Sequence, residues 1–277
     1  MGIGNEKIVF HHVSKTFHVR NPARGKGAFT KFTAVKDVNL AVRDGEFLTI
    51  VGPSGCGKST LLEMLAGLLR PSSGRILLDG REVTGPGLDR GIVFQQYALF
   101  PWKTARGNVE SGLEAKGVPR KERRELAEHY LALVGLAGFA DRYPHELSGG
   151  MKQRVAIARS LAYNPDVLLM DEPFAALDAQ TRETLQGELL RIWEHTKKTI
   201  LFITHGIDEA VVLGQRVAIM SARPGTIRHV VDNPLPSRLA EKDLRAHPVF
   251  VEVRHHVWQL LQEETRRQDA VLAKEVR

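Results

Sequence analysis

The sequence predicts an α/β fold built on a largely parallel, buried sheet, and three observations predict it. The apolar runs FLTIV (47–51), VLLMD (167–171) and TILFIT (199–204) are continuous rather than alternating, as strands covered on both faces read. Longer segments with helical spacing follow several of them, the arrangement that makes parallel strands with crossover helices. The 277 residues are 43% hydrophobic, enough for one large domain or a domain with appendages.

Taken in order, IVFHHVSKTFHV and FTAVKDVNLAV read as antiparallel strands joined by a basic, Gly-containing loop, NPARGKGAFTK (21–31), expected to be solvated. After FLTIV comes the helical segment KSTLLEMLAGLLR, which should stop at Pro71. Leu126, Tyr130, Leu133 and Val134 mark one face of another helix, and Leu185, Leu189 and Ile192 that of a third. From about residue 233, NPLPSRL is a Pro-broken connector, and Phe250, Val253, Val257 and Leu260 mark a terminal amphipathic helix. We therefore divide the chain into 1–232 and a short extension, 233–277, too small for a core of its own. No internal repeat is visible.

Composition excludes more than it assigns. No run approaches 18 apolar residues, so no membrane span is expected. The opening MGIGNEKIVFHH has no charged region followed by an apolar core, and the single cysteine, Cys56, fits a reducing compartment. The formal charge of +7 is compatible with nucleic acid, an anionic membrane surface, a phosphate-bearing ligand or simply a basic surface.

The chemistry lies in a few short motifs. GPSGCGKS (52–59) matches G-x-x-x-x-G-K-[ST], follows a predicted strand and opens a predicted helix. The N–H groups of Ser54, Gly55, Cys56 and Gly57 can wrap a β-phosphate, Lys58 can reach the β- and γ-phosphates, and the Ser59 hydroxyl can hold Mg²⁺. Cys56 reads either as a redox-sensitive thiol at a helix start or as a small residue in a permissive loop, where alkylation would block a nucleotide by bulk. In VLLMDE, Asp171 ends a strand where it can hold Mg²⁺, and Glu172 can face an attacking water; an N-cap and a solvated charge are the plainer alternative. His205, ending TILFITH, can hydrogen-bond a γ-phosphate, and Gln95, after GIVF, can bridge Mg²⁺ and water; each can also be an ordinary polar residue. LSGGMKQR (147–154) places Ser148 as an N-cap ahead of Gly149 and Gly150, a second anion site 90 residues beyond the first.

Together GPSGCGKST (Gly52, Pro53, Ser54, Gly55, Cys56, Gly57, Lys58, Ser59 and Thr60), the Gln95 of VFQ, LSGGMKQR, VLLMDEP, AALD and the histidine of ITH resemble an ABC-type ATPase, over residues 8 to about 230. The resemblance implies a P-loop NTPase: a RecA-like α/β core, an antiparallel β subdomain and a helical subdomain at about 97–160. It implies ATP and Mg²⁺ as cofactors, Glu172 as general base, and His205 as γ-phosphate sensor. Phe17 would stack on adenine, and Asp178 would link the two sites. In the family, cassettes pair head to tail, so Ser148, Gly149 and Gly150 would serve the ATP held by a second copy's Lys58, in an isologous dimer. YALFPWKTARGNV (97–109) would meet transmembrane permease subunits, with Trp102 either an interface anchor or a core residue.

ALFPWKTARGNV, THGIDEAVVLGQRVAIMSARPGTI and the short tail look like ATPases of nitrate, sulfonate or taurine importers, with two departures: Gly206 where Asp is usual, and Ala175–Ala176 where Ser is common. The expected function is therefore ATP hydrolysis driving uptake of a small oxyanion. The protein would sit on the cytoplasmic face of the membrane, with a solute-binding protein as indirect partner and no nucleic acid. The alternative, a soluble ABC ATPase acting on nucleic acid or ribosomes, would need a long coiled-coil insertion or a second cassette, and the chain has neither. A regulatory protein that binds ATP without turnover would not need Glu172.

Overall fold

The computed structural model describes residues 6–20, 29–236 and 244–275, the side chains of the last helix to residue 267. The chain divides into two compact units, Met1–Pro86 with Ile203–Arg277, and Gly87–Phe202.

The first unit begins with β1 (Glu6–Arg20) and β2 (Phe29–Arg43), an antiparallel pair as expected. Residues 21–28 of the predicted basic loop lie outside the described residues. Phe29, Thr30 and Lys31, counted with that loop, instead begin β2, where Thr30 pairs with Val19. Next come β3 (Phe47–Val51), every residue buried, and α1 (Lys58–Leu65). The helix does not run to Pro71: it caps at Ala66, and Gly67, at a φ of 76°, turns the chain out through the left-handed region. β4 (Ser73–Leu78) and β5 (Arg81–Glu82) complete an antiparallel sheet of order β2-β1-β4-β5.

The second unit carries β6 (Arg90–Val93), α2 (Ala105–Ala115), α3 (Arg120–Leu133), α4 (Gly149–Ala162), β7 (Val167–Asp171), α5 (Ala179–Thr196) and β8 (Thr199–Ile203). β6 and β7 run parallel, as a crossover through helices requires. The three helices α2, α3 and α4 pack on one another. The predicted stripe of α3 is rotated: Ala127, Leu131 and Val134 are buried, Leu126 and Tyr130 are half-buried, and Leu133 is exposed. A small alanine such as Ala127 carries little of the apolar periodicity that marks a buried helix face. Leu185, Leu189 and Ile192 of α5 are buried as read.

The chain returns to the first unit through α6 (Ile207–Leu213), β9 (Arg216–Met220), β10 (Ile227–Asp232) and α7 (Pro248–Glu275). β9 pairs parallel with β3, and β10 antiparallel with β9. α7 buries Phe250, Val253 and Val257 on its own unit, against α6, β9 and β10, while Leu260 is only half-buried. Among the described residues, no helix is long and apolar enough to cross a membrane.

Candidate functional site

In the first unit the phosphate-loop motif leaves the end of the fully buried β3 and enters α1. Its conformation follows from the space available. Gly57, the N-cap, has φ 106°, and a Cβ there would lie 2.8 Å from Val35 Cγ2 and 3.0 Å from the Ala34 carbonyl oxygen. No side chain caps α1, and a helix start of this kind is where an anion is favoured. Lys58 is buried, its Nζ donating to the carbonyls of Gly52 (2.9 Å) and Pro53 (3.1 Å). An ammonium folded onto loop carbonyls is held at the place where phosphate oxygens would compete for it. Gly52 is buried and Pro53 half-buried; Ser54, Gly55 and Ser59 are exposed, with Thr60 half-buried.

Cys56 is buried, and burial pushes its thiol pKa up, against the opposing pull of the Lys58 charge. That environment favours the small-residue reading over the redox one.

The same unit carries His205. The Thr204 N–H donates to the Ile50 carbonyl at 3.1 Å, one residue before β3 ends, so His205 stands at the end of the sheet from which the phosphate loop leaves. Thr204 Oγ1 accepts from the Gly206 N–H at 2.9 Å and bonds Glu209. The hydroxyl thus supplies the cap that Gly206 lacks, and a Cβ on Gly206 would meet nothing closer than 3.5 Å. Phe17 pairs across the ladder with Phe32, and Lys15 Nζ lies 5.2 Å from the Phe17 ring centre.

The second unit gathers the other group. The β6–β7 register runs from Arg90 opposite Val167 to Val93 opposite Met170, which brings the following Gln95 to the same end as Asp171 and Glu172. Gln95 is exposed, and both acids are half-buried. Glu172 has φ 44°, a left-handed conformation uncommon outside glycine. Ser148 caps α4 as its sequence suggests, Oγ accepting from the Met151 N–H at 3.3 Å. The glycines have neighbours in their own chain: a Cβ on Gly150 would fall 2.7 Å from Thr181 Cγ2. Asp178 is exposed and caps α5, accepting from the Thr181 N–H at 2.9 Å, and that bond holds its carboxyl below the ordinary range.

The ABC transporter family profile matches residues 35–175. The chain is 54% identical over 231 residues to an uncharacterized ABC transporter ATP-binding protein of Methanocaldococcus jannaschii, spanning 83% of this chain and 85% of that one. This chain belongs to the ABC transporter ATP-binding family. Its members are ATPases that bind nucleotide, and this chain is an ABC ATP-binding subunit. It is also 57% identical over 203 residues to the nitrate import ATP-binding protein of Synechocystis, covering 73% of this chain and 76% of that protein. To the taurine import ATP-binding protein of Rhizobium johnstonii it is 50% identical over 232 residues, 82% and 88% of the two chains. The solved dimeric cassette MJ0796, in a post-hydrolysis state with ADP and Pi, superposes with a TM-score of 0.71 at 35% identity, covering 81% of this chain and 98% of that one.

Three arginines of this ABC ATPase escaped the sequence reading. Arg159, near the end of α4, donates to the carbonyls of Ala98 (2.6 Å) and Tyr97 (3.0 Å), which hold φ 46° and 57° just after Gln95. Arg154, inside the LSGGMKQR motif, donates to the Val134 carbonyl (2.9 Å) and pairs with Glu188 (2.8 Å), tying α4 to the end of α3 and to α5. Arg223 reaches the phosphate loop itself. Spacing alone gives such residues no signal, because an arginine's partners lie 20 to 168 positions away. Trp102, open between two readings in the sequence, is 71% exposed and tilted against Phe100, which excludes the core reading.

Proposed function

We propose that this ATPase is the energy subunit of a membrane importer for a small oxyanion of the nitrate, sulfonate or taurine class, working as a head-to-tail pair of copies on the cytoplasmic face of the membrane. The observation that carries the reading is the pair of helix starts: α1 opens on an uncapped Gly57 beside Lys58, and α4 opens on Ser148, Gly149 and Gly150. Two anion sites in a chain with one phosphate loop fit two copies, each completing the other's nucleotide site. The solved relative is described as a dimer, and two curated relatives are named for nitrate and taurine import.

In this reading Lys58 exchanges the Gly52 and Pro53 carbonyls for the β- and γ-phosphates, while the loop amides of Ser54 to Gly57 take the β-phosphate. Ser59, Gln95 and Asp171 would hold Mg²⁺ through a hydroxyl, an amide and a carboxylate oxygen, the hard donors that cation takes. Bound there, the metal would neutralise charge building on the phosphates. Glu172 accepts the proton of the attacking water, His205 hydrogen-bonds the γ-phosphate, Phe17 stacks on adenine, and Asp178 carries the state of one site to the other. Exposed Trp102 and Phe100 form an apolar contact for a permease subunit, which in turn receives cargo from a solute-binding protein.

Two measurements test the reading. Ser148→Arg should cut ATP turnover about a hundredfold or more while the isolated chain binds ATP normally; lost binding would assign Ser148 to its own chain's nucleotide. Tagged chain drawn from native membranes in mild detergent should bring a multi-span membrane protein with it. Ribosomes or nucleic acid in its place would favour a soluble ABC ATPase.

A further inference from the structure

The turn between β9 and β10 is built against the phosphate loop. It closes on itself, the Ser221 N–H donating to the Thr226 carbonyl (2.9 Å) and the Thr226 N–H to Ser221 Oγ (3.1 Å). Gly225 then joins β2: its N–H donates to the Ala34 carbonyl and its carbonyl accepts from the Lys36 N–H, both at 2.9 Å. The approach is close enough that a Cβ on Gly225 would lie 2.0 Å from the Cys56 carbonyl oxygen. From this turn Arg223 reaches two places. Its Nε donates to the Gly55 carbonyl at 2.6 Å, and its guanidinium carbon lies 5.0 Å from the centre of the Phe32 ring. Phe32 is the cross-strand partner of Phe17.

We propose that Arg223 is a nucleotide-positioning residue, one side chain that holds the phosphate loop at Gly55 and braces the Phe32–Phe17 aromatic wall beside it. The inference rests on the reading of residues 52–59 as the ATP site and of Phe17 as the adenine platform.

A trans peptide points its C=O and N–H in opposite directions. Drawing the Gly55 carbonyl out toward Arg223 therefore turns the Cys56 N–H inward, where it meets the Pro53 carbonyl at 3.3 Å across the loop. That bond is long, so a phosphate oxygen can displace it. The charged donor also polarises the amide, which strengthens the N–H as a phosphate donor. A guanidinium over Phe32 fixes that ring, and Phe32 in turn limits the orientations open to Phe17 across the ladder. A lysine at 223 could still donate to Gly55, but it has no flat face to lay on Phe32.

The test is calorimetric titration of the full chain and its variants with ATP and with inorganic tripolyphosphate, both with Mg²⁺, alongside thermal melts. Arg223→Ala should weaken both ligands about tenfold, the scale of one charge-assisted hydrogen bond. Arg223→Lys should restore tripolyphosphate and leave ATP several-fold weak, because only the base side still lacks its brace. Unchanged affinity for both ligands in folded Arg223→Ala would overturn the proposal. Should that variant fail to fold, Arg223→Lys decides: a loss confined to ATP supports it, and equal behaviour toward the two ligands overturns it. Wild-type chain that binds no ATP would instead remove the underlying site reading, and the positioning role with it.

Discussion

At the scale of single residues, the candidate site shows where the chain departs from easy conformations. Glu172 holds φ 44°, and Tyr97 and Ala98 stand consecutively in the left-handed region just after Gln95. Such backbone costs on the order of 1–3 kcal/mol and persists only where surroundings enforce it; at Tyr97 and Ala98 the enforcing group is Arg159. Cys56 makes the opposite case, a residue that invites a reactive reading and is quiet in its setting. Its raised pKa leaves less thiolate at neutral pH than a free cysteine has. Maleimide labelling followed by mass spectrometry should therefore be slow at pH 7 and accelerate only as pH climbs past the range of an ordinary thiol. Fast labelling at pH 7, unaffected by ATP, would mean the loop opens to expose the sulfur.

At the scale of elements, ends matter more than middles. α4 and α5 start where their Ser and Asp caps say they should, because one side-chain oxygen answers one orphan N–H. α6 ends by a device with no local signature. Asn233, buried after β10, donates from Nδ2 to the carbonyls of Val211 and Gly214, both at 2.7 Å. Asn233→Ala leaves two buried carbonyls without that donor and should cost about 1–3 kcal/mol in urea unfolding. A loss below about 0.5 kcal/mol would mean the carbonyls find water or a shifted partner. The same connector leads to α7, so a weakened α6 end should also loosen the terminal helix, visible as faster amide exchange near Phe250 and Val253.

At the scale of the whole molecule, the proposed nucleotide residues divide between the two compact units. Lys58, Ser59 and His205 belong to the first; Gln95, Ser148, Asp171, Glu172 and Asp178 belong to the second. In the proposed pairing of copies the nucleotide is a common ligand of both chains, so its binding free energy would be available to drive association. Glu172→Gln, which removes the base but keeps the shape, should bind ATP, slow hydrolysis by about 10²–10⁴-fold and elute from gel filtration with ATP as a dimer. A monomer under those conditions would count against the sandwich. Arg223→Ala in the same background should need more ATP to reach the dimer, linking the turn after β9 to assembly.

What the sequence determined by itself was whatever is written locally. The continuous runs at 47–51, 167–171 and 199–203 are strands, as runs buried on both faces read, and the phosphate loop is legible because its glycines, lysine and serine must fall at set spacings. The ABC family and the cap at Ser148 were legible for the same reason. Tertiary structure decided what depends on distant partners. It rotated the buried face of α3 onto Ala127 and Leu131, ended α1 at Ala66 before Pro71, and started β2 at Phe29. It also turned Trp102 outward and brought Arg223 to Gly55 across 168 positions. A side chain's burial and its long-range hydrogen bonds belong to the packed chain, and no window of neighbouring residues contains them.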